Sequence, residues 1–343
     1  MRAFFFCVCT SVRPCGLIAA AKPHADIVME AWSRFWRQGH TTTFGDYFDK
    51  GYAGPVKEWL DTLPPSIPPS QEPLNVLELC CGNGSLLPFL FSLDRTFDYV
   101  GVDAAEVALP DLLQEPVRQA SGTISLLANT PVEALPDSIQ TVSLCLSIYG
   151  MEYSDLSITL KALHPRLQPG GQLFALLHHH ESVVAKMSRR AVSEYEQSDI
   201  EHIRNALTTI HETMVRVGNV EALKADDEAE KARKFMNGMG NKYLRGATLE
   251  TGNAFMADHV MAALRFFKLL GQAPDIRARF IDELVEEAQA ARERHEQMLS
   301  VAKTAEDMET LAQHMNTIGW NSPRFNALTD KDGIIGWTLT ATA

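Results

Sequence analysis

The chain has 343 residues, 45% of them hydrophobic and 22% charged, and a formal net charge of −12. That length holds one large α/β domain with an insertion or two modest domains, and 21 Gly and 17 Pro exclude collagen-like and low-complexity chains. The acidic balance argues against a DNA-binding face, no run of eighteen apolar residues offers a membrane span, and six cysteines are too few for a disulfide scaffold and fit a reducing, cytoplasmic setting.

Residues 1–28 read apart from the rest. Phe4, Phe5 and Phe6, then Cys7, Cys9 and Cys15, all precede the first acidic residue, Asp26. The apolar stretch from Ala3 to Cys9 is too short for a secretory core, and Cys7 and Cys9 have no second pair at zinc-finger spacing. An unstructured leader, or a true start at Met29, is the plain reading; an organellar transit peptide is its rival. Residues 29–72 predict an N-terminal helical lid and a linker. Trp32, Phe35 and Trp36 fall on one helical face, either as core or as a cover over a ligand, with Phe44, Tyr47 and Tyr52 behind them. A second helix fits Pro55 to Leu60. Prolines 64, 65, 68, 69 and 73 then forbid a helix and mark a boundary.

From 73 to 180 the period changes. Strands are predicted at Asn75–Leu79, Phe97–Val102, Thr123–Leu127, Thr141–Leu146 and Gln172–Leu177, the last preceded by a Pro169-Gly170-Gly171 turn. Helices fit Ser85–Phe91, Ala105–Leu113 with a break at Pro110, and Leu156–Leu163. This alternation predicts a parallel sheet covered on both faces. Residues 181–304 are almost wholly helical in pattern, with breaks at Gly238-Met239-Gly240 and near Gly246 to Gly252. Asp226-Asp227-Glu228 and Glu286-Glu287 read as solvated faces, and Phe255, Met256, Met261, Phe266 and Phe267 as core. An insertion after strand five would stand over the ligand crevice, as a substrate cap or as a homodimer contact. Residues 305–343 finish the sheet with a helix over Ala305–Ile318 and strands Arg324–Leu328 and Ile334–Ala341 around the turn Asp330-Lys331-Asp332-Gly333.

The informative stretch is Glu78-Leu79-Cys80-Cys81-Gly82-Asn83-Gly84-Ser85. A strand carrying an acid runs into a glycine turn that opens a helix, and Gly82 and Gly84 remove side chains where a ligand would approach the backbone. Nineteen residues past Gly84, at the tip of strand two, Asp103 is placed to accept hydrogen bonds from both ribose hydroxyls of a nucleoside. A dinucleotide fingerprint fits poorly because its third glycine would fall at Leu87. A phosphate loop is excluded because no Gly-Lys-Ser/Thr follows. The ligand indicated is a nucleoside without a pyrophosphate.

On these residues, with Val100-Gly101-Val102-Asp103, Leu167-Gln168-Pro169-Gly170-Gly171 and the closing Gly336-Trp337-Thr338-Leu339, the chain resembles the class I S-adenosylmethionine-dependent methyltransferases. The match covers Asn75 to His180 and the C-terminal hairpin. Phe35-Trp36, Thr42 to Asp46 and Gly150 to Ser154 are similar to a bacterial subgroup of uncharacterised substrate. The resemblance implies a Rossmann-like, mostly parallel seven-stranded sheet with an antiparallel C-terminal hairpin. It also implies S-adenosylmethionine as cofactor, held by Glu78, Cys80, Gly82, Asn83, Gly84, Asp103, Ala104, Asn129, Thr130, Ser147 and Ile148. One piece departs: the family's adenine-binding Asp position is Pro131 here, so that contact passes to Asn129 or Thr130.

The activity implied is methyl transfer by in-line displacement to an oxygen or nitrogen of a small molecule. Methylation of RNA or protein, and an inactive cofactor-binding scaffold, are the alternatives. Ser147-Ile148-Tyr149-Gly150 stands where base-amino methylases carry Asn/Asp-Pro-Pro-Tyr/Phe. His179 and Tyr153 are the catalytic candidates, and Glu152 faces either substrate or a helix cap. Residues in succession along a strand alternate in direction, so at most two of His178, His179 and His180 could share a site, and no metal is expected there.

Overall fold

A strand covered on both faces reads as a nearly continuous apolar run, as Val142-Ser143-Leu144-Cys145-Leu146-Ser147-Ile148 does. In the computed structural model, which describes residues 24–44, 50–63, 72–245 and 252–343, this run is the centre of a seven-stranded sheet. The leader up to residue 23, with its Cys7 and Cys9, lies outside the described residues. So do Tyr47, prolines 64, 65, 68 and 69, and most of the break expected near Gly246. The strands are β1 (Leu74–Leu79), β2 (Phe97–Val102), β3 (Ile124–Leu127), β4 (Val142–Ile148), β5 (Leu167–Leu177), β6 (Asn321–Asp330) and β7 (Gly333–Thr342). Their order is β3-β2-β1-β4-β5-β7-β6. The first five are parallel, and β7 is antiparallel to both neighbours. This is a Rossmann-like, mostly parallel sheet, with its order reversing between β1 and β4.

The helices of the sheet's flanks are α1 (His24–Trp36), α2 (Gly54–Leu60), α3 (Leu87–Phe91), α4 (Asp111–Gln119) and α5 (Leu156–Leu163). Then follow α6 (Val183–Glu194), α7 (Gln197–Val217), α8 (Val220–Lys224), α9 (Asp227–Leu244), α10 (Ala254–Leu264), α11 (Pro274–Val301) and α12 (Ala305–Ile318). Strand alternation sorts the core. Leu77, Leu79, Cys145, Leu173 and Ala175 meet Met308 and Met315 of α12 and Leu160 and Leu163 of α5. Leu74, Val76, Leu144, Leu146 and Leu176 meet Val56 and Leu60 of α2 and Leu87 and Leu90 of α3. Each such leucine, fully buried, contributes roughly 1.5–3 kcal/mol.

Two compact units result. One is the sheet unit; the other is helical and spans Arg189–His295. The helical unit has its own core: Ile200, Ile203, Leu207 and Ile210 of α7 pack with Met236 of α9 and with Phe255, Met256 and Val260 of α10. Residues 181–188 and 296–304 belong to the sheet unit, because the two ends of the insertion are tied at the tip of β5. There the Lys303 N–H donates to the His178 carbonyl at 2.8 Å, and the His180 N–H donates to the Lys303 carbonyl at 3.1 Å.

Several elements differ from their sequence reading. α1 begins at His24, ahead of Met29. α4 occupies 111–119 rather than 105–113, because extended Pro110 (φ −68°, ψ 156°) stands at its N-terminus and starts the helix instead of breaking one. β4 runs on to Ile148, so Ser147 and Ile148 are strand residues. The Pro169-Gly170-Gly171 turn is a bulge inside β5, pinned to the chain end by Gly170 N–H to Ala343 O (3.0 Å) and Ala343 N–H to Gly171 O (2.9 Å). α9 passes through Gly238 and Gly240 unbroken, since neither takes a positive φ. Met261 is half exposed, whereas Phe255, Met256 and Phe266 are fully buried. Asp226 caps α9, its side chain accepting the N–H groups of Glu228 and Ala229, and Glu287 pairs with Arg294 at 2.8 Å.

Candidate functional site

Where a parallel strand gives way to a helix the chain must turn sharply, and non-glycine residues seldom take the left-handed conformation that permits it. Among the described residues four do so, and three of them follow the carboxyl ends of strands: Cys80 after β1, Asn129 after β3 and Tyr149 after β4 (φ 52–53°). This end of the sheet, at the order reversal, is where open α/β sheets bind ligands. A cavity of about 450 Å³ lies there. Of the residues predicted to touch cofactor or substrate, Cys80, Asp103, Ala104, Ile148 and Tyr153 line it. Glu78, Gly82, Asn83, Gly84, Asn129, Thr130, Ser147 and His179 are not part of its wall.

Asp103 is fixed by its own loop. Its Oδ2 accepts the Gly82 N–H and its Oδ1 the Ala105 N–H, both at 2.8 Å. A carboxylate has about four acceptor positions, so two remain for a ligand. Burial pushes its pKa up to about 6, against the pull of those two N–H groups. Glu78 lies beneath the turn: Ser85 Oγ donates to Oε1 (2.7 Å) and Tyr99 Oη to Oε2 (2.6 Å), while burial raises its pKa to about 7. It organises the turn from below. Ser147 does similar work in β4, where its Oγ donates to the Leu79 carbonyl (3.0 Å) and accepts the Met151 N–H (3.0 Å), which holds β4 to the end of β1.

The glycines have a second reason to be glycine. A Cβ on Gly82 (φ 51°) would stand 2.5 Å from the Trp36 ring, and one on Gly84 (φ 87°) 2.7 Å from Leu87 Cδ1. α1 thus lies on the turn itself, and its Trp32 and Trp36 form cavity wall with Tyr52 and Tyr149. The Asn83 side chain is directed at this helix, not at the cavity. Past β3, exposed Asn129 and half-buried Thr130 stay outside, while Pro131, Val132 and Glu133 line the cavity. The residue standing at the family's Asp position is therefore wall, but without a carboxylate.

The catalytic candidates separate. Tyr153 is in the wall, its ring edge-on to Trp32 (5.5 Å) and its Oη 3.5 Å from His178 Nε2. Burial raises the Tyr153 pKa and lowers that of His178 to about 3, so neither group is a strong base at neutral pH. His179 is turned away: it stacks on Trp337 (4.4 Å), and its Nδ1 accepts the Glu181 N–H (2.9 Å). Strand alternation sends His178 toward Tyr149, stacked at 4.5 Å, and His179 to the opposite face. Glu152 is buried, with Oε1 accepting the His178 N–H (2.7 Å) and burial raising its pKa to about 7. No group of three or more His, Cys, Asp or Glu side chains suited to a metal ion occurs among the described residues. No helix described there is long and apolar enough to cross a membrane.

Met29, Thr43, Ser85, Ala105, Val132, Glu133 and Ser154 also line the cavity and were not named as site residues from the sequence. Thr43, Ser85 and Ser154 lay within the motifs that were named, and Ala105, Val132 and Glu133 lie within three residues of Ala104 or Thr130.

No family model matches the chain, and no curated protein matches it. Among solved structures it is similar to the CMeT domain of the citrinin polyketide synthase, at 14% identity over 83% of this chain and 50% of that one, with a TM-score of 0.39. It is similar to an S-adenosylmethionine-dependent methyltransferase from Mesorhizobium loti, at 20% identity over 37% of this chain and 56% of that one (TM-score 0.29). A third is the amino pentose methyltransferase of Micromonospora echinaspora solved with S-adenosylmethionine bound, at 16% identity over 36% of this chain and 50% of that one (TM-score 0.26). The chain spans between 50% and 56% of the length of these three.

Proposed function

We propose that this chain, whose sheet is that of the class I methyltransferases, binds S-adenosylmethionine in the strand-end cavity and is a methyltransferase acting on an oxygen or nitrogen of a small molecule. The observation that carries the reading is Asp103: a buried carboxylate, fixed by two backbone N–H groups, at the edge of a cavity of about 450 Å³ at the sheet's order reversal. Its remaining acceptor positions suit a ribose diol. Ala104 and Ala105 beside it, with Pro131 and Val132, give the flat apolar surroundings a purine needs. Trp32, Trp36, Tyr52 and Tyr149 offer aromatic faces, which attract a sulfonium as they attract other cations.

The bound cofactor would supply an electrophilic methyl on a good leaving group. The protein's part is then alignment and exclusion of water. The indoles of α1 and the rings of Tyr149 and Tyr153 form part of the cavity wall, with Tyr153 edge-on to Trp32. Tyr153 Oη provides the polar point at which an acceptor is oriented. With His178 held neutral and Tyr153 held protonated, the site suits an acceptor that is nucleophilic without a strong base, such as a neutral amine or an acidic hydroxyl.

The test is calorimetric titration with S-adenosylmethionine and S-adenosylhomocysteine, with NAD as control. Micromolar binding of the sulfur ligands and none of NAD is expected, and the reverse pattern would sink the proposal.

A further inference from the structure

Asn83 sits in the middle of the glycine turn, yet its carboxamide is spent elsewhere. Nδ2 donates to two backbone carbonyls, Trp36 O and His40 O, each at 2.8 Å. Oδ1 accepts the Ala108 N–H at 2.9 Å. The residue is 1% exposed. Three segments far apart in sequence therefore meet at one buried amide: the end of α1 with the turn after it, the glycine turn, and the loop that follows Asp103. Around this point, Ser33 Oγ of α1 accepts the Glu106 N–H (3.0 Å), the Trp36 ring fills the space a Gly82 Cβ would take, and Trp32 Nε1 donates to Gln297 Oε1 (2.8 Å).

The position demands two donors and one acceptor in fixed directions from a short side chain. Asn supplies them. An aspartate of the same shape would keep the acceptor for Ala108 and aim its other oxygen at two carbonyl oxygens.

We propose that Asn83 is a positioning residue, a latch that holds the α1 lid against the cofactor turn, so that lid opening and cofactor release are one event. This rests on reading the cavity as the S-adenosylmethionine site. On that reading Trp32 and Trp36 wall the ligand on the side of α1, and its release is taken to follow their movement. The movement requires both Nδ2 bonds to break, each a bond from a buried amide to a backbone carbonyl. Weakening the latch should therefore speed cofactor entry and departure together and change affinity less than either rate.

The test has two arms. In the first, hydrogen exchange is followed without added ligand in the full chain and in Asn83→Ala and Asn83→Asp. Exchange across residues 29–44 should accelerate roughly tenfold or more in both variants, at least as much in Asn83→Asp, with β4 and β5 protected as in the parent. Parent-like lid exchange in Asn83→Asp overturns the latch. Equal acceleration in the lid and in β4 and β5 also overturns it, since Asn83 would then serve only general folding. In the second arm, stopped-flow release of S-adenosylhomocysteine should quicken by a similar factor, and an unchanged release rate overturns the coupling. Should the Asn83 variants fail to fold, Ser33→Ala loosens the lid's separate tie to Glu106. It should raise lid exchange and release rate in the same ratio, and no rise in either overturns the proposal. If the parent protein binds no sulfur ligand, the functional reading fails, whereas the exchange arm still decides the latch.

Discussion

The strand-end region of the sheet unit and the helical unit treat their acids in opposite ways. Near the cavity, Glu78, Asp103 and Glu152 are buried, each tied to hydroxyl or backbone N–H groups, and burial raises all three above the usual carboxylate range. In the helical unit half-buried Asp226 and Glu230 sit on Arg216 and Arg233, which hold them below that range. Asp258 is the exception, raised to about 7 by burial. An acid placed to steady a helix end meets the helix's own N–H groups and a cation within reach of solvent. An acid placed beside a ligand must be desolvated, and the fold accepts that penalty where neighbouring N–H and O–H groups limit it.

The largest effect that would break this contrast comes from the helical core. Phe255→Ala should cost about 3–5 kcal/mol in chemical denaturation, as for other buried Phe truncations, while leaving the affinity for S-adenosylmethionine unchanged. A parallel loss of affinity would mean that the helical unit shapes the cofactor site. Next is Glu78. A carboxyl whose native pKa lies above its unfolded value keeps its proton more tightly when folded, so its contribution is most favourable at low pH and is lost as pH rises from about 4.5 through about 7. Relative to Glu78→Gln, the parent should lose on the order of 3 kcal/mol across that window. Buried His178, with its pKa lowered, slopes the other way below pH 6.5, which is why the difference between the two proteins is the quantity to measure.

Asp103→Ala should weaken cofactor binding about a hundredfold, or about 2.7 kcal/mol. In the parent, affinity should also fall as pH drops below about 6, where Asp103 takes up its proton, and this slope should vanish in Asp103→Asn. The smallest expected effect is Asp226→Ala. Losing the cap of α9 should lower stability by about 1 kcal/mol with no change in cofactor titration.

Legibility in the sequence followed regularity. β2 was read at both its ends, and Leu156–Leu163 and Ala305–Ile318 matched their helices, because period-2 and 3.6-residue patterns report the burial of regular elements directly. Gly82, Gly84 and Asp103 were legible as a turn and a strand tip. The direction of Asn83, Asn129 and His179 was not. Each sits at or just beyond a strand end, where one positive φ or one step along the strand redirects a side chain, and where the partners are as distant in sequence as Trp36 and Trp337.

By itself, then, the sequence determined the order of strands and helices, the long helical segment, and the acid–glycine turn with its Asp103, since all of these follow from local periodicity and the backbone freedom of glycine. Only the tertiary structure decided that β4 carries Ile148 to the cavity edge while Ser147 ties it to β1, and that α1 lies on Gly82. It alone decided that the Asn83 amide closes on that helix instead of facing the ligand, because each of these depends on contacts between segments tens of residues apart that no local pattern encodes.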